Sequence, residues 1–330
     1  MMNKQYLRNN QGFTMVELLI AVALSGIVMA GTYMAYQSQH RSYRTQVEVS
    51  AMQHNVRIAH MVVERDVRTA GSQVDPSEAF EIGTINMDMN GDGDLDDAGD
   101  TIDTNNDPNH GGADAVFVRY SEGGVPITDY NGAAANVWFC VSSGIEEGDV
   151  LLLVNADGSQ YRTIEATQVS VTGVATAECP LGQDRVNFSP GLSPINSPLG
   201  LSQDYIGGMA FKAIQHCYFI NSDCDGDGNA DDPCLMMTEN FLNPQTVVEG
   251  IEDLQVVYTL DDGTETTDPA LVGADIEDIR GVRITTLART SKQFRSFSSR
   301  RPAIEDHGAG GADRFRRKPL AGSVKVRNLF

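Results

Sequence analysis

Two stretches of the chain bring carboxylates together at alternate positions, the spacing that turns hard oxygen ligands to the inside of a short loop. One runs Asp88-Met89-Asn90-Gly91-Asp92-Gly93-Asp94-Leu95-Asp96-Asp97-Ala98-Gly99-Asp100, the other Asp223-Cys224-Asp225-Gly226-Asp227-Gly228-Asn229-Ala230-Asp231-Asp232. Both open as Asp-x-Asp/Asn-x-Asp-Gly, the start of an EF-hand-type calcium loop, with glycine at the sixth place for the sharp turn. The bidentate acid of such a loop belongs at the twelfth place, where Gly99 and Cys234 stand instead. The expected shells are therefore Asp88, Asn90, Asp92 and Asp94 closed by Asp97 or Asp100, and Asp223, Asp225, Asp227 and Asn229 closed by Asp231 or Asp232. Calcium, at one site or both, is the expected cofactor, since crowded carboxylates repel one another without a cation. Asp103-Thr104-Asn105-Asn106-Asp107 is a weaker third cluster, read as a continuation of the first loop or as plain surface.

Sulfur offers a second chemistry. The five cysteines are Cys140, Cys179, Cys217, Cys224 and Cys234, an odd number that leaves one thiol over or pairs it between chains. Cys217–Cys234 or Cys224–Cys234 would staple the ends of the second acidic loop, with Cys140–Cys179 as the remaining pair. A thiolate zinc site is the rival, but no CxxC occurs and the surroundings are rich in oxygen. No CxxCH haem sequence, phosphate-binding P-loop, HExxH or GxSxG is present, and the six histidines are scattered. No catalytic residues are assigned and the chain is not expected to be an enzyme; a tethered hydrolase is the reading this sets aside.

A third candidate is a single carboxylate in an unfavourable place. Glu17 lies in Gly12-Phe13-Thr14-Met15-Val16-Glu17-Leu18-Leu19-Ile20-Ala21, and from Leu18 to Gln39 there is no Asp, Glu, Lys or Arg. Those residues span roughly 33 Å as a helix, enough to cross a bilayer core of about 30 Å. Lys4 and Arg8 precede the run, which places the N-terminus on the cytoplasmic side. A secretory signal would carry its small cleavage residue after the apolar core, whereas Gly12 comes before it. A lone acid in a spanning helix costs several kcal/mol and points to function.

The arrangement resembles the class III signal of type IV pilins and type II secretion pseudopilins. The resemblance implies that prepilin peptidase cuts between Gly12 and Phe13 and methylates the new N-terminus. It also implies that Glu17, fifth in the mature chain, pairs with the N-terminal amine of a neighbouring subunit during assembly. The fold that follows is α+β: a long N-terminal helix whose outer half packs on an antiparallel sheet. On this reading residues 1–12 are the leader, 13–39 the transmembrane helix, 40–71 its amphipathic continuation and 72–330 a β-rich globular domain. The acidic loops at 81–113 and 221–234 are insertions in that domain.

Val49, Met52, Val56, Ala59, Val63, Val67 and Ala70 recur at steps of three and four, one apolar stripe, and Gly71 ends the helix. Gly26 and Gly31 are expected weak points in the membranous half. Residues 81–113 have little to bury and read as a loop. Strands are expected at 115–120, 137–141, 150–154, 161–164, 168–174, 209–220, 254–260, 282–288 and 323–329, in one sheet or two. Arg300–Lys318 reads as an exposed basic loop. With 24 Lys and Arg against 45 Asp and Glu, a net charge of −21 disfavours nonspecific nucleic-acid binding.

Three C-terminal segments carry a narrower resemblance. Val248–Tyr258 (VEGIEDLQVVY), Val282–Thr290 (VRITTLART) and Arg316–Phe330 (RRKPLAGSVKVRNLF) are similar to the last strands of PilW-family minor pilins. That family implies a non-catalytic subunit that primes a type IV pilus or sits at its tip. Its partners would be other minor pilins, the major pilin, prepilin peptidase, an inner-membrane platform with a separate motor ATPase, and a tip adhesin. The expected location is the inner membrane, with the domain in the periplasm, and then the pilus. The alternative is a minor pseudopilin of type II secretion; a DNA-uptake or adhesive pilin stands behind both.

Overall fold

The structure, a computed structural model, describes residues 13–74, 77, 79–87, 101–107, 111–140, 143–171, 179–189, 196, 205–240, 242–326 and 328. Gly12 and the first acidic loop, with Asp88, Asn90, Asp92, Asp94, Asp97 and Asp100, lie outside the described residues. The chain divides into two compact units between Ala51 and Met52.

Helix α1 (Met15–Thr69) is 55 residues long. In the first unit it is exposed on every face, with Val16, Leu19, Ile20, Ile27 and Met34 all accessible, and it is long and apolar enough to cross a membrane. Its polar side chains return to the backbone: Ser25 Oγ donates to Ala21 O at 2.8 Å and Thr32 Oγ1 to Val28 O at 3.0 Å. Such bonds leave no hydroxyl unsatisfied in an apolar medium. The helix continues through Gly26 and Gly31 without a break.

In the second unit the expected stripe is buried: Met52, Val56, Ala59, Val63 and Val67 face the sheet domain. Burying each of the valines contributes about 1.5–3 kcal/mol, which fixes this face inward. Gly71, at φ 73°, ends the helix in the left-handed conformation a side chain would resist, and its N–H donates to Arg119 O at 3.0 Å. Asn328 Nδ2 donates to Ala70 O at 3.2 Å and satisfies a terminal carbonyl.

The strands follow in chain order: β1 (Thr84–Asn86), β2 (Thr101–Asp103), β3 (Val116–Pro126), β4 (Asp129–Asn131), β5 (Asn136–Cys140), β6 (Val150–Val154), β7 (Tyr161–Glu165), β8 (Gln168–Val171) and β9 (Gln183–Asn187). The second half adds β10 (Met209–Asn221), β11 (Cys234–Glu239), β12 (Leu242–Glu249), β13 (Ile251–Leu260), β14 (Glu265–Thr266), β15 (Ile279–Arg289), β16 (Ser299–Arg300), β17 (Ala312–Asp313) and β18 (Arg317–Lys325). Among the described residues every pairing between these strands is antiparallel. One sheet runs β12-β11-β10-β6-β7 with β3 also on β10; a second runs β14-β13-β15-β18; a third runs β4-β5-β9-β8. Two short hairpins, β1-β2 and β16-β17, complete the ladders. Val137, Phe139, Leu151, Leu153, Val186 and Phe188 form one core cluster, and Met87, Ile102, Phe117, Cys217 and Phe219 another.

Three expectations are corrected. Residues 81–113 are not all loop, because β1 and β2 flank the acidic stretch and bury Ile85, Met87 and Ile102. The final strand is Arg317–Lys325 rather than 323–329, paired along its length with β15. Arg300–Lys318 is not a solvated basic loop: Arg317 is 5% exposed, and Arg316 lies over the rings of Phe294 and Phe297. Two aromatic rings take up Arg316 and the part-buried acids Glu252 and Asp313 take up Arg317, while Arg300, Arg314 and Lys318 stay exposed as expected.

Candidate functional site

The N-terminal candidate is built on the first turn of α1. Thr14 is the N-cap and Glu17 the third helical residue, and the two satisfy each other. Glu17 N donates to Thr14 Oγ1 at 3.2 Å, while Thr14 N and Thr14 Oγ1 both donate to Glu17 Oε2 at 2.9 Å. This is a capping box, which uses up helix-end donors that otherwise have no acceptor. It fixes the carboxylate beside the start of the chain, and Oε1 accepts no bond among the described residues. Phe13 stands next to it, fully exposed. The acid that reads in sequence as a membrane liability is thus also the residue that starts the helix.

The second acidic loop is a turn stapled at its base. Asp223, Asp225 and Asp227 bring carboxylate oxygens within 4.8 Å of one another. Asp223 accepts from Asp227 N at 3.1 Å and Gly228 N at 2.8 Å, Asp225 from Asp227 N at 3.2 Å, and Asp227 from Asn229 N at 2.8 Å. Asp231 and Asp232 do not join that group and hold the loop through backbone bonds instead, as Asn229 does through its O and N–H. A Cys224–Cys234 disulfide closes the loop, and Cys140–Cys179 is the second bridge. Cys217 is therefore not the partner of Cys234: it is a free thiol inside the core, where burial pushes it up to about 12.

Sequence reasoning missed a third assembly, at the end of the β13-β15-β18 sheet. A register irregularity between Ile251 and Asp253 gives β13 an extra residue, Glu252, opposite the end of β15. Such a bulge re-aims a side chain. Glu252 accepts from Arg317 Nε at 2.6 Å and Arg317 Nη2 at 2.9 Å, and its carboxylate lies 4.0 Å from Arg289 Nη1. Arg317 also grips Asp313, with Nη1 to Oδ1 at 2.7 Å, and these bonds raise its pKa although burial opposes them. Next along the strand, Asp253 is fully buried and accepts from Arg301 Nη1 at 2.6 Å and Gln255 Nε2 at 3.1 Å, with His307 Nδ1 at 2.9 Å. Gln255 Nε2 also donates to Gly112 O at 2.9 Å. Asp114 accepts from Asn106 N at 2.8 Å and Val256 N at 2.7 Å; burial nevertheless pushes its carboxyl up to about 8. The three segments singled out at the C-terminus are thus adjacent strands, and their charges meet at one end. The signal available in the sequence was the opposite charges of Glu252, Arg289 and Arg317 at those strand ends.

Comparison with known proteins matches the two regions separately. Residues 7–33 match the family model of the Prokaryotic N-terminal methylation motif, and residues 217–328 that of Type IV Pilus-assembly protein W. Among solved structures the chain is similar to the Type IV-like pilin TTHA1219 from Thermus thermophilus, at 12% identity and a TM-score of 0.31, over 87% of this chain and 99% of that one. No curated protein matches the chain.

Proposed function

Because the chain belongs to the PilW family of type IV minor pilins, we propose that it enters the pilus as a structural subunit that primes assembly or occupies the tip. Cleavage falls between Gly12 and Phe13, and the Phe13 amine becomes the new N-terminus. The protein waits in the inner membrane with α1 spanning it and the sheet domain in the periplasm. Its partners there are prepilin peptidase, the other minor pilins, the major pilin, the assembly platform with its separate motor ATPase, and a tip adhesin. The carrying observation is Glu17: the sole acid in the exposed apolar stretch of α1 up to Gln39, with one oxygen held by Thr14 and the other open. A neighbouring subunit's Phe13 amine at Oε1 neutralises both charges in a medium where an unpaired one is costly, and so sets the axial register. The match over residues 217–328 favours the pilus over type II secretion.

The same proposal includes calcium at Asp223, Asp225 and Asp227, supported by oxygens spaced as a hard cation requires. Glu17→Ala tests the assembly reading: the variant should be processed yet absent from sheared pili, and normal incorporation would contradict it. For the cation, a rise in Tm with added calcium that Asp225→Asn abolishes is expected; an unchanged Tm would remove calcium from the account.

A further inference from the structure

A cleft of ≈ 580 Å³ opens between the second acidic loop and the Gly308–Gly310 segment. That volume lies in the range of about 300–1,000 Å³ usual for ligand sites. Ile220 and Pro233 supply its apolar wall, while Arg289, Arg301 and His307 and, with the opposite sign, Glu252 supply its charged groups. We propose that this cleft binds a carboxylate presented by a peptide segment of a neighbouring subunit, with Arg289 as the principal partner. The proposal rests on the pilin reading for the source of the peptide and on the cleft alone for its chemistry.

Arg289 is the least compensated cation at the site. Its side chain is 11% exposed, and it donates one hydrogen bond, from Nη2 to Asp231 O. Its nearest carboxylate, Glu252, stands off at 4.0 Å with both oxygens already taken by Arg317. Burial lowers the pKa of Arg289 and the Arg317 charge adds to this, although Glu252, Asp313 and Asp231 oppose them. A buried guanidinium with free donors is a bidentate receptor for a carboxylate. Arg289 also lies over the Phe315 ring, 4.2 Å from its centroid, which holds its plane in place. Arg301, by contrast, has its charge paired with Asp253 and is held by His307 Nδ1 and Gly308 O, so it contributes less to an incoming anion.

The rim adds backbone donors. The N–H groups of Gly308 and Ala309 reach no acceptor among the described residues, and both residues line the cleft. Consecutive free N–H groups beside a guanidinium are the elements of carboxylate capture by main chain. Glycine on both sides of Ala309 leaves room for a peptide backbone to approach.

The test uses the full-length chain in detergent micelles and a fluorescein-labelled alanine–glycine pentapeptide. It is supplied with a free C-terminal carboxylate, as its C-terminal amide, and as the amide with one internal aspartate. The free acid should bind at least about tenfold more tightly than the amide, the difference expected of a charge-assisted bond. Arg289→Met should erase that difference, and Ala309→Trp, which fills the cleft without touching the ion pairs, should do the same. Tighter binding of the aspartate peptide than of the free acid would identify a side-chain carboxylate as the source. Equal affinity for acid and amide, or no binding of either acid form at millimolar peptide, would overturn the proposal. A chain that binds peptide but never enters pili would contradict the pilin reading and leave the cleft standing.

Discussion

Asp66 offers a direct measure of what holds α1 to the sheet domain. It lies in the buried stripe of the helix, 1% exposed, and Oδ2 receives two short contacts: His216 Nδ1 at 2.6 Å and Tyr218 OH at 2.5 Å. Arg65 Nε donates to Oδ1 at 2.8 Å from a largely exposed side chain. Asp66→Ala strands two buried polar groups on β10, each at about 1–3 kcal/mol, whereas Arg65 returns to water at little cost. The expected loss is about 4 kcal/mol, or roughly 8 °C in Tm for a domain of this size. The assay is thermal unfolding of the full chain in detergent, followed by near-UV circular dichroism. Tyr218→Phe alone should cost about 1 kcal/mol, but in the Asp66→Ala background it should cost nothing, because the hydroxyl is already orphaned. Burial pushes the Asp66 carboxyl up, yet the bonds from His216, Arg65 and Tyr218 outweigh it and hold its pKa below the ordinary value. Its stabilisation is therefore complete above the unfolded pKa of about 4 and lost as pH falls through the lower folded value. An equal cost of Tyr218→Phe in both backgrounds, or a Tm drop under about 2 °C for Asp66→Ala, would refute the reasoning.

Other perturbations follow from the same packing. Asp114 holds its proton to about pH 8, so its contribution is complete below the unfolded carboxylate pKa and lost as pH rises through the folded one. Asp114→Asn should gain in Tm relative to the parent chain as pH rises from about 5 to 9; a constant difference would contradict this. A Cβ on Gly322 would stand 2.4 Å from His60 Nε2, so Gly322→Ala should cost about 1–3 kcal/mol by forcing β18 from the helix, read as a lower urea midpoint. Cys140→Ser with Cys179→Ser opens a bridge between residues 39 apart and should cost about 2–5 kcal/mol in the same titration.

What could be read beforehand was what the chain writes locally. The helix and its buried stripe from Met52 to Val67 follow from the spacing of apolar residues, and the N-terminal motif matched over residues 7–33 follows from Gly12, Phe13, Glu17 and the uncharged run after them. Asp66 was invisible because an acid in an apolar stripe has no local explanation: its partners on β10 lie 150 and 152 residues away. Strands β11 and β12 were missed because residues 234–249 mix Met, Thr, Asn and Pro244 without alternation. Their place beside β10 is set by pairing across the sheet. Arg316 and Arg317 looked solvated in sequence because the acids of Arg317, Glu252 and Asp313, and the aromatic partners of Arg316 come together only when β13, β15 and β18 align. The sorting of eighteen strands into separate sheets is nonlocal in the same way.

The central claim is that this chain is processed at Gly12 and built into a pilus as a minor component. Mass spectrometry of sheared, purified pili from the native host tests it most directly. The account predicts a peptide beginning with N-methylated Phe13, at low abundance beside the major pilin. Recovery of the processed chain only from envelope fractions, with none in pili, would contradict it.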